Sequence, residues 1–328
     1  MTIYSRYRGA VAAILALVLA GVPAQAVGAS AAPSVEFLRD FTIAVPPGWK
    51  APVRLLVPPV SDAVLDKVGP SAPLFTVGPA DAVWFGVERN ILINATKGYP
   101  VHPGVPLSDI AIIDGGGLLL ATDDAVGFVV INAAPGTTFG DGQMTAIFQP
   151  IFTSPVTDAH LSAGANGSLY IFGGAREGGR NDVYLMAPEA VDHAPATPRA
   201  LRTLRKVFST TENISAVAGD GKETFVATGR LVVKVSGAKK EMVAALLHPK
   251  EPILGLALTH NGLLFYATSS GVGVVTPGGT AEFVKAPNVA IRSVGDNLYI
   301  LLRNSFAVVK VEGTGAFRSA VHSAAPKP

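Results

Sequence analysis

Residues 213–313 hold three tandem copies of one pattern: NISAVAGDGKETFVATGRLVVKVSG (213–237), ILGLALTHNGLLFYATSSGVGVVTPGG (253–279) and VAIRSVGDNLYILLRNSFAVVKVEG (289–313). Each copy opens on an apolar run, turns at Asp, Asn or Gly, and continues with a second apolar run. A polar break and a third run follow, with a weaker fourth beyond. Short runs rich in β-branched and aromatic residues, bounded by such turns, read as strands. Asp220-Gly221 and Asn261-Gly262 supply the positive φ angles that a tight hairpin of right-twisted strands requires.

Working outward, six first hairpins can be counted. They are Leu74–Val77 with Val83–Val87, Ile110–Ile113 with Leu118–Ala121, and Ala159–Ala163 with Leu169–Phe172. Then come Ile214–Ala218 with Thr224–Ala227, Ile253–Leu258 with Leu263–Ala267, and Ala290–Val294 with Leu298–Leu302. Further turns stand at Asp114-Gly115, Asn166-Gly167 and Asp296-Asn297, spaced as four short strands with variable loops require. The second strands, such as LLFYA (263–267) and LYILL (298–302), are apolar on both faces. That pattern calls for cover on both sides, which sheets ringed around an axis provide. The expected fold is all-β, a six-bladed β-propeller over residues 53–322. A ring must close, and little chain remains after Phe317–Val321. Val53–Val57 is therefore expected as the outer strand of the last blade, closing the ring from the N-terminal side.

The remaining segments are punctuation. Arg6 and Arg8 precede the apolar run Ala10–Val22, and Ala24-Gln25-Ala26 is a small-residue cleavage pattern, so 1–26 reads as a secretory signal peptide. The run falls short of the roughly 20 residues that span a bilayer. The expectation is a secreted or periplasmic protein that is not an integral membrane protein after cleavage. Residues 27–52 read as a linker with one strand, Phe37–Ile43, stopped by Pro46-Pro47-Gly48. Ser61-Asp62 with Ala63–Val68 reads as a short capped helix, Ala187–Thr203 as a surface excursion, and 323–328 as a disordered tail.

Composition removes several functions. The 328 residues contain no cysteine, which excludes disulfides, thiolate metal sites and cysteine nucleophiles. Charged residues are 15% and the net charge is +2, too little for a nucleic-acid face. No G-x-S-x-G elbow, H-E-x-x-H pair, EF-hand loop or phosphate loop is present. Asn94-Ala95-Thr96, Asn166-Gly167-Ser168 and Asn213-Ile214-Ser215 match the short glycosylation pattern, which recurs by chance.

Leu169-Tyr170-Ile171-Phe172-Gly173-Gly174 followed by Asn181-Asp182-Val183-Tyr184 resembles a single Kelch blade. The other repeats lack the double glycine. Their looser pattern, G-x-L-Y/F-x-A-T then G-V-x-V, is similar to the six-bladed class of NHL-repeat and gluconolactonase-like propellers. That resemblance implies a channel-centred site, and in its lactonases a metal held by Glu, Asn and Asp. No ligand set matches it here residue by residue.

Candidate site residues follow from propeller topology. Asp109, Asp158, Asn213, Glu251 and Asn288 precede inner strands, at the channel mouth, and their oxygens suit calcium; Asp and Asn equally cap local turns. Second-to-third-strand loops open on the same face and carry Arg89, Arg176, Arg180, Arg230 and Arg303, whose planar forks suit carboxylate or phosphate. His102 and His248 lie on opposed blades and read as loop residues. His160 lies on an inner strand, as a lining residue or a base. The sequence thus points to an exported binding or scaffold protein with an unidentified protein or small-molecule ligand at the channel mouth. The alternative is a metal-dependent hydrolase such as a lactonase.

Overall fold

The computed structural model describes residues 42–43, 53–56, 74–78, 82–87, 90–93, 97–102, 104, 106–113, 117–132, 145–187, 204–246, 251–276, 279–287, 289–302 and 305–310. The leader, the 63–68 helix, nearly all of the 187–203 excursion, Arg89, His248, Asn288, Arg303 and the tail lie outside them.

Two short strands come first, β1 (Thr42–Ile43) and β2 (Val53–Leu56). One meander follows: β3 (Phe75–Val77), β4 (Val83–Val87), β5 (Asn90–Ile93) and β6 (Lys97–His102). A second runs β7 (Asp109–Ile112), β8 (Leu118–Ala121), β9 (Ala125–Asn132) and β10 (Thr145–Thr153). The third is β11 (Val156–Ala163), β12 (Leu169–Ala175), β13 (Asn181–Met186) and β14 (Arg205–Thr210). The fourth is β15 (Ile214–Gly219), β16 (Thr224–Thr228), β17 (Leu231–Ser236) and β18 (Lys239–Ala245). The fifth is β19 (Gly255–Leu258), β20 (Leu264–Ala267), β21 (Gly271–Thr276) and β22 (Gly279–Lys285). The last is β23 (Ala290–Val294), β24 (Asn297–Leu302) and β25 (Ser305–Lys310).

The fold is an all-β propeller, but its strands form five hydrogen-bonded sheets, which corrects the expectation of six separate blades. The first two meanders share one eight-stranded sheet, because their outer strands β6 and β10 pair in parallel at Ala146↔Val101 and Ile147↔His102. His102 is thus the end of a strand rather than a loop residue. β2 pairs antiparallel with β25, and β1 with the outer strand β22.

Burial explains the composition of each strand. β8, β16 and β20 are buried at every position, because successive sheets cover both faces. Ala111, Leu119 and Ile151, for example, pack with Leu161, Ile171 and Met186 of the next sheet. Outer strands see solvent, and β18 carries Lys239, Lys240 and Glu241.

The first strands of the meanders stand beside one another around the axis, in the order β3, β7, β11, β15, β19, β23 and back to β3. Each has a free edge there, and on β3, β7, β11 and β19 a neighbouring side chain bonds to it. Ile112 N–H donates to Thr76 Oγ1 (3.0 Å) and Leu161 N–H to Asp109 Oδ2 (2.9 Å). Ser293 Oγ donates to the Leu258 carbonyl (2.8 Å) and Arg292 Nε to the Phe75 carbonyl (3.2 Å). An unpaired strand edge is an open hydrogen-bonding row, and these contacts occupy it.

Tyr170 ties the third meander to the fourth. Its buried hydroxyl accepts from Gly221 N–H (2.9 Å) and donates to the Glu223 carbonyl (3.3 Å). Gly219 has to be glycine here, since a Cβ would lie 2.2 Å from that hydroxyl. Tyr170→Phe leaves one amide and one carbonyl without their partner. It is expected to cost about 1–3 kcal/mol, read as a lowered urea midpoint at unchanged slope.

Candidate functional site

The site begins with an irregularity in β11. Its register with β12 shifts between Thr157 and His160. Inside the shift, Asp158 has φ 48°, the only positive φ of a non-glycine among the described residues. Such strain persists only where neighbours enforce it. The double glycine of β12 makes room for it. A Cβ on Gly173 would stand 2.3 Å from the Thr157 carbonyl oxygen and 2.9 Å from that of Asp158, and one on Gly174 would stand 2.7 Å from Thr157 Oγ1. The Kelch-like Gly-Gly is therefore the seat of a bulge, and bulges re-aim the side chains beside them.

The residue re-aimed is His160. Its ring stacks on Phe172, with centroids 5.3 Å apart and planes at 29°. Its side chain is 46% exposed, whereas that of Asp109 is 5% exposed. Asp109 spends both oxygens on the backbone: Ile110 N–H reaches Oδ1 at 2.7 Å and Leu161 N–H reaches Oδ2 at 2.9 Å. His160 Nδ1 lies 3.5 Å from the same Oδ2. That is long for a hydrogen bond, and such contacts in empty sites commonly tighten on ligand binding. The Asp109 carboxylate raises the His160 pKa above 6.5, first through this contact and further through its charge; Asp158 adds to the effect. Burial and the charge of Arg292 act in the opposite direction. Nδ1 is the nitrogen that faces Asp109, and Nε2 makes no hydrogen bond to a described residue.

Below the mouth, a cavity of about 30 Å³ is lined by all six first strands, including Thr76, Ile112, Ser162, Gly219, Ala257 and Arg292. That is room for about two water molecules. A sugar-sized body does not fit, so any larger ligand stays at the mouth. Arg292 lines the cavity with its guanidinium 5.3 Å from the Phe75 ring centroid. Nε donates to Phe75 and Nη1 to the Ile291 carbonyl (3.2 Å).

The other expected residues do not converge. Asp158 and Asn213 are exposed. Glu251 accepts Ser270 N–H at 3.1 Å, and hydrogen bonds from Ser269 and Ser270 hold its carboxyl below the usual value. Arg176 is committed to its own face: Nε donates to the Ser154 carbonyl (2.8 Å), Nη2 to that of Asp123 (3.0 Å), with Asp124 at 3.8 Å. Arg180 donates to Ser209 Oγ (2.9 Å) and to the Ser209 carbonyl (3.4 Å). Arg230 is exposed in the turn before β17.

These residues do not fit a calcium cage. Asp109 already accepts an amide on each oxygen, Glu251 is held by the β20–β21 turn, and among the described residues no three His, Asp or Glu converge as metal ligands. Sequence reading named Asp109 and His160 separately but did not pair them. It missed Arg292, whose signal is a lone charge inside the short strand AIRSV.

No protein-family model and no curated protein matches the chain. Solved structures do. The PQQ-bound aldose sugar dehydrogenase of Streptomyces coelicolor is 15% identical, covering 82% of this chain and 100% of its own, with a TM-score of 0.52. A gluconolactonase of Xanthomonas campestris is 12% identical, covering 80% and 98%, with a TM-score of 0.48. A calcium-binding protein, regucalcin, of Agrobacterium tumefaciens is 14% identical, covering 75% and 94%, also at 0.48. At these identities the likeness is one of fold, and the dehydrogenase match carries it: the chain is built as a β-propeller.

Proposed function

We propose that this protein is an enzyme performing general acid–base chemistry at one mouth of the propeller channel, and that hydrolysis of small esters or lactones is the reaction it fits best. The Asp109–His160 pair carries the reading. Asp109 is fixed by two amides and cannot swing away. It holds the Nδ1 proton and leaves Nε2 basic. Neutral His160 then takes a proton from water, the water oxygen adds to the ester carbonyl, and the C–O bond breaks. The proton returns to the departing alkoxide. The small cavity below keeps the substrate body at the mouth, beside His160.

The same reading takes the eight-stranded sheet as two blades joined at their outer edges, giving six around the axis, and β2 as the strand that fastens the ring. The tripartite leader supports export.

The test is a screen of the chain lacking residues 1–26 against small esters and lactones, with and without a chelator. Turnover is expected to survive chelation. The rate constant kcat/KM is expected to rise with pH to a plateau, with its midpoint above 6.5, because the base must be neutral and its pKa is raised. Turnover lost on chelation would favour a metal-dependent hydrolase. No turnover across the panel would return the chain to a binding or scaffold role.

A further inference from the structure

We propose that Arg292 is a carboxylate-binding group, so that the substrate at this mouth carries a free carboxylate whose head enters the cavity while its reacting centre stays beside His160. The inference rests on the acid–base reading above for its substrate, but not for the binding itself. Four observations support it.

Arg292 lines the cavity, which Asp109 and His160 do not. No Asp or Glu lies within ion-pair distance of it among the described residues, whereas the half-buried Lys206 and the nearly buried Lys234 each hold a carboxylate, Asp182 and Glu223. A partly desolvated cation without a counter-ion is costly. Its orientation is fixed: Nε and Nη1 donate to the Phe75 and Ile291 carbonyls, and the ring of Phe75 packs against it. Nη2 and the second hydrogen of Nη1 remain, a pair of parallel donors that matches the two oxygens of a carboxylate. The cavity of about 30 Å³ has room for little more than such a head, with Arg292 in its wall. Ser162 and Ser293 line the same space as further polar groups, although Ser293 Oγ is already committed to Leu258.

The charges around the carboxylate position can be counted from every strand that faces it. Arg292 comes from β23 and His160 from β11, with Asp109 from β7 and Asp158 from β11 opposing them. Neither carboxylate lies within ion-pair distance of Arg292, which therefore has no direct counter-ion among the described residues.

The test is calorimetric titration of the folded protein with sodium acetate, against sodium chloride at equal ionic strength as the control. Saturable acetate heat is expected in the wild type and in His160→Gln. It is expected to weaken at least tenfold in Arg292→Gln, and partly recover in Arg292→Lys, which keeps the charge without the fork. Acetate is also expected to inhibit any turnover competitively. If wild-type protein shows no acetate heat beyond the chloride control, the proposal is overturned whatever the variants do. If acetate binds equally to Arg292→Gln, Arg292 is only a strap between β23 and β3. Turnover without acetate binding removes this inference and leaves the acid–base reading; acetate binding without turnover does the reverse.

Discussion

His160→Gln is expected to lower kcat/KM by about 10²–10⁴-fold, the usual worth of a positioned acid–base group. Glutamine keeps polarity and much of the volume but cannot exchange a proton near neutral pH. Folding should hardly change, because the His160 side chain is 46% exposed and its only polar contact with a described residue is the 3.5 Å approach to Asp109. Asp109→Asn should match the loss of activity and add a stability cost. The amide retains one oxygen for two backbone N–H groups, and its NH₂ then opposes either Leu161 N–H or His160 Nδ1. A buried donor left unmatched costs about 1–3 kcal/mol. The double variant should be no slower than the worse single, since groups that act as a unit are not additive. Activity that survives His160→Gln within a factor of about three would remove the histidine from the chemistry.

Gly173→Ala is expected to damage both the fold and the site. The added Cβ meets backbone carbonyl oxygens at 2.3 and 2.9 Å. Unlike the tip of a side chain, these cannot rotate away, so β11 must move. Overpacking of this kind costs about 1–3 kcal/mol, and the bulge that shifts is the one preceding His160. Turnover should therefore fall with stability. Gly178→Ala is the control. It sits in the turn between β12 and β13, at φ +85° with nothing within 4 Å of a Cβ. Its cost is backbone strain alone, about 1–2 kcal/mol, with turnover retained at temperatures where the variant is folded. If Gly173→Ala unfolds more easily yet turns over normally when folded, the bulge does not position His160.

The six hairpins were legible because their signals are local. Asn-Gly and Asp-Gly fix a turn within two residues, and a strand buried on both faces announces itself as LLFYA or LYILL. The joining of the first two meanders was not legible. It depends on two residue pairs between β6 and β10, which only the packed ring brings within reach. The site was half legible. Asp109 stands where an inner strand starts, so its place at the mouth could be read. Its partner could not, since Leu161 and His160 belong to the next sheet. The double glycine was visible as a resemblance, but its physical reason lies across the hairpin, in a strained Asp158 that no residue type foretells. Arg292 was hidden because a single arginine in a strand usually snorkels to solvent, and only the ring geometry turns it inward.

The Asp109–His160 contact also makes a statement about stability. The folded pKa of His160 is raised above its ordinary value of 6.5 by the Asp109 carboxylate. The pair therefore contributes stability that is fully present below pH 6.5 and is lost as the pH rises through the folded value.

The most direct measurement is an NMR titration of the His160 ring in the wild type and in Asp109→Asn. A wild-type pKa above 6.5 is expected, falling in Asp109→Asn, where the carboxylate is gone while burial and Arg292 still act. A wild-type value at or below 6.5, unchanged by Asp109→Asn, would contradict it, because no oriented pair would then exist at the channel mouth.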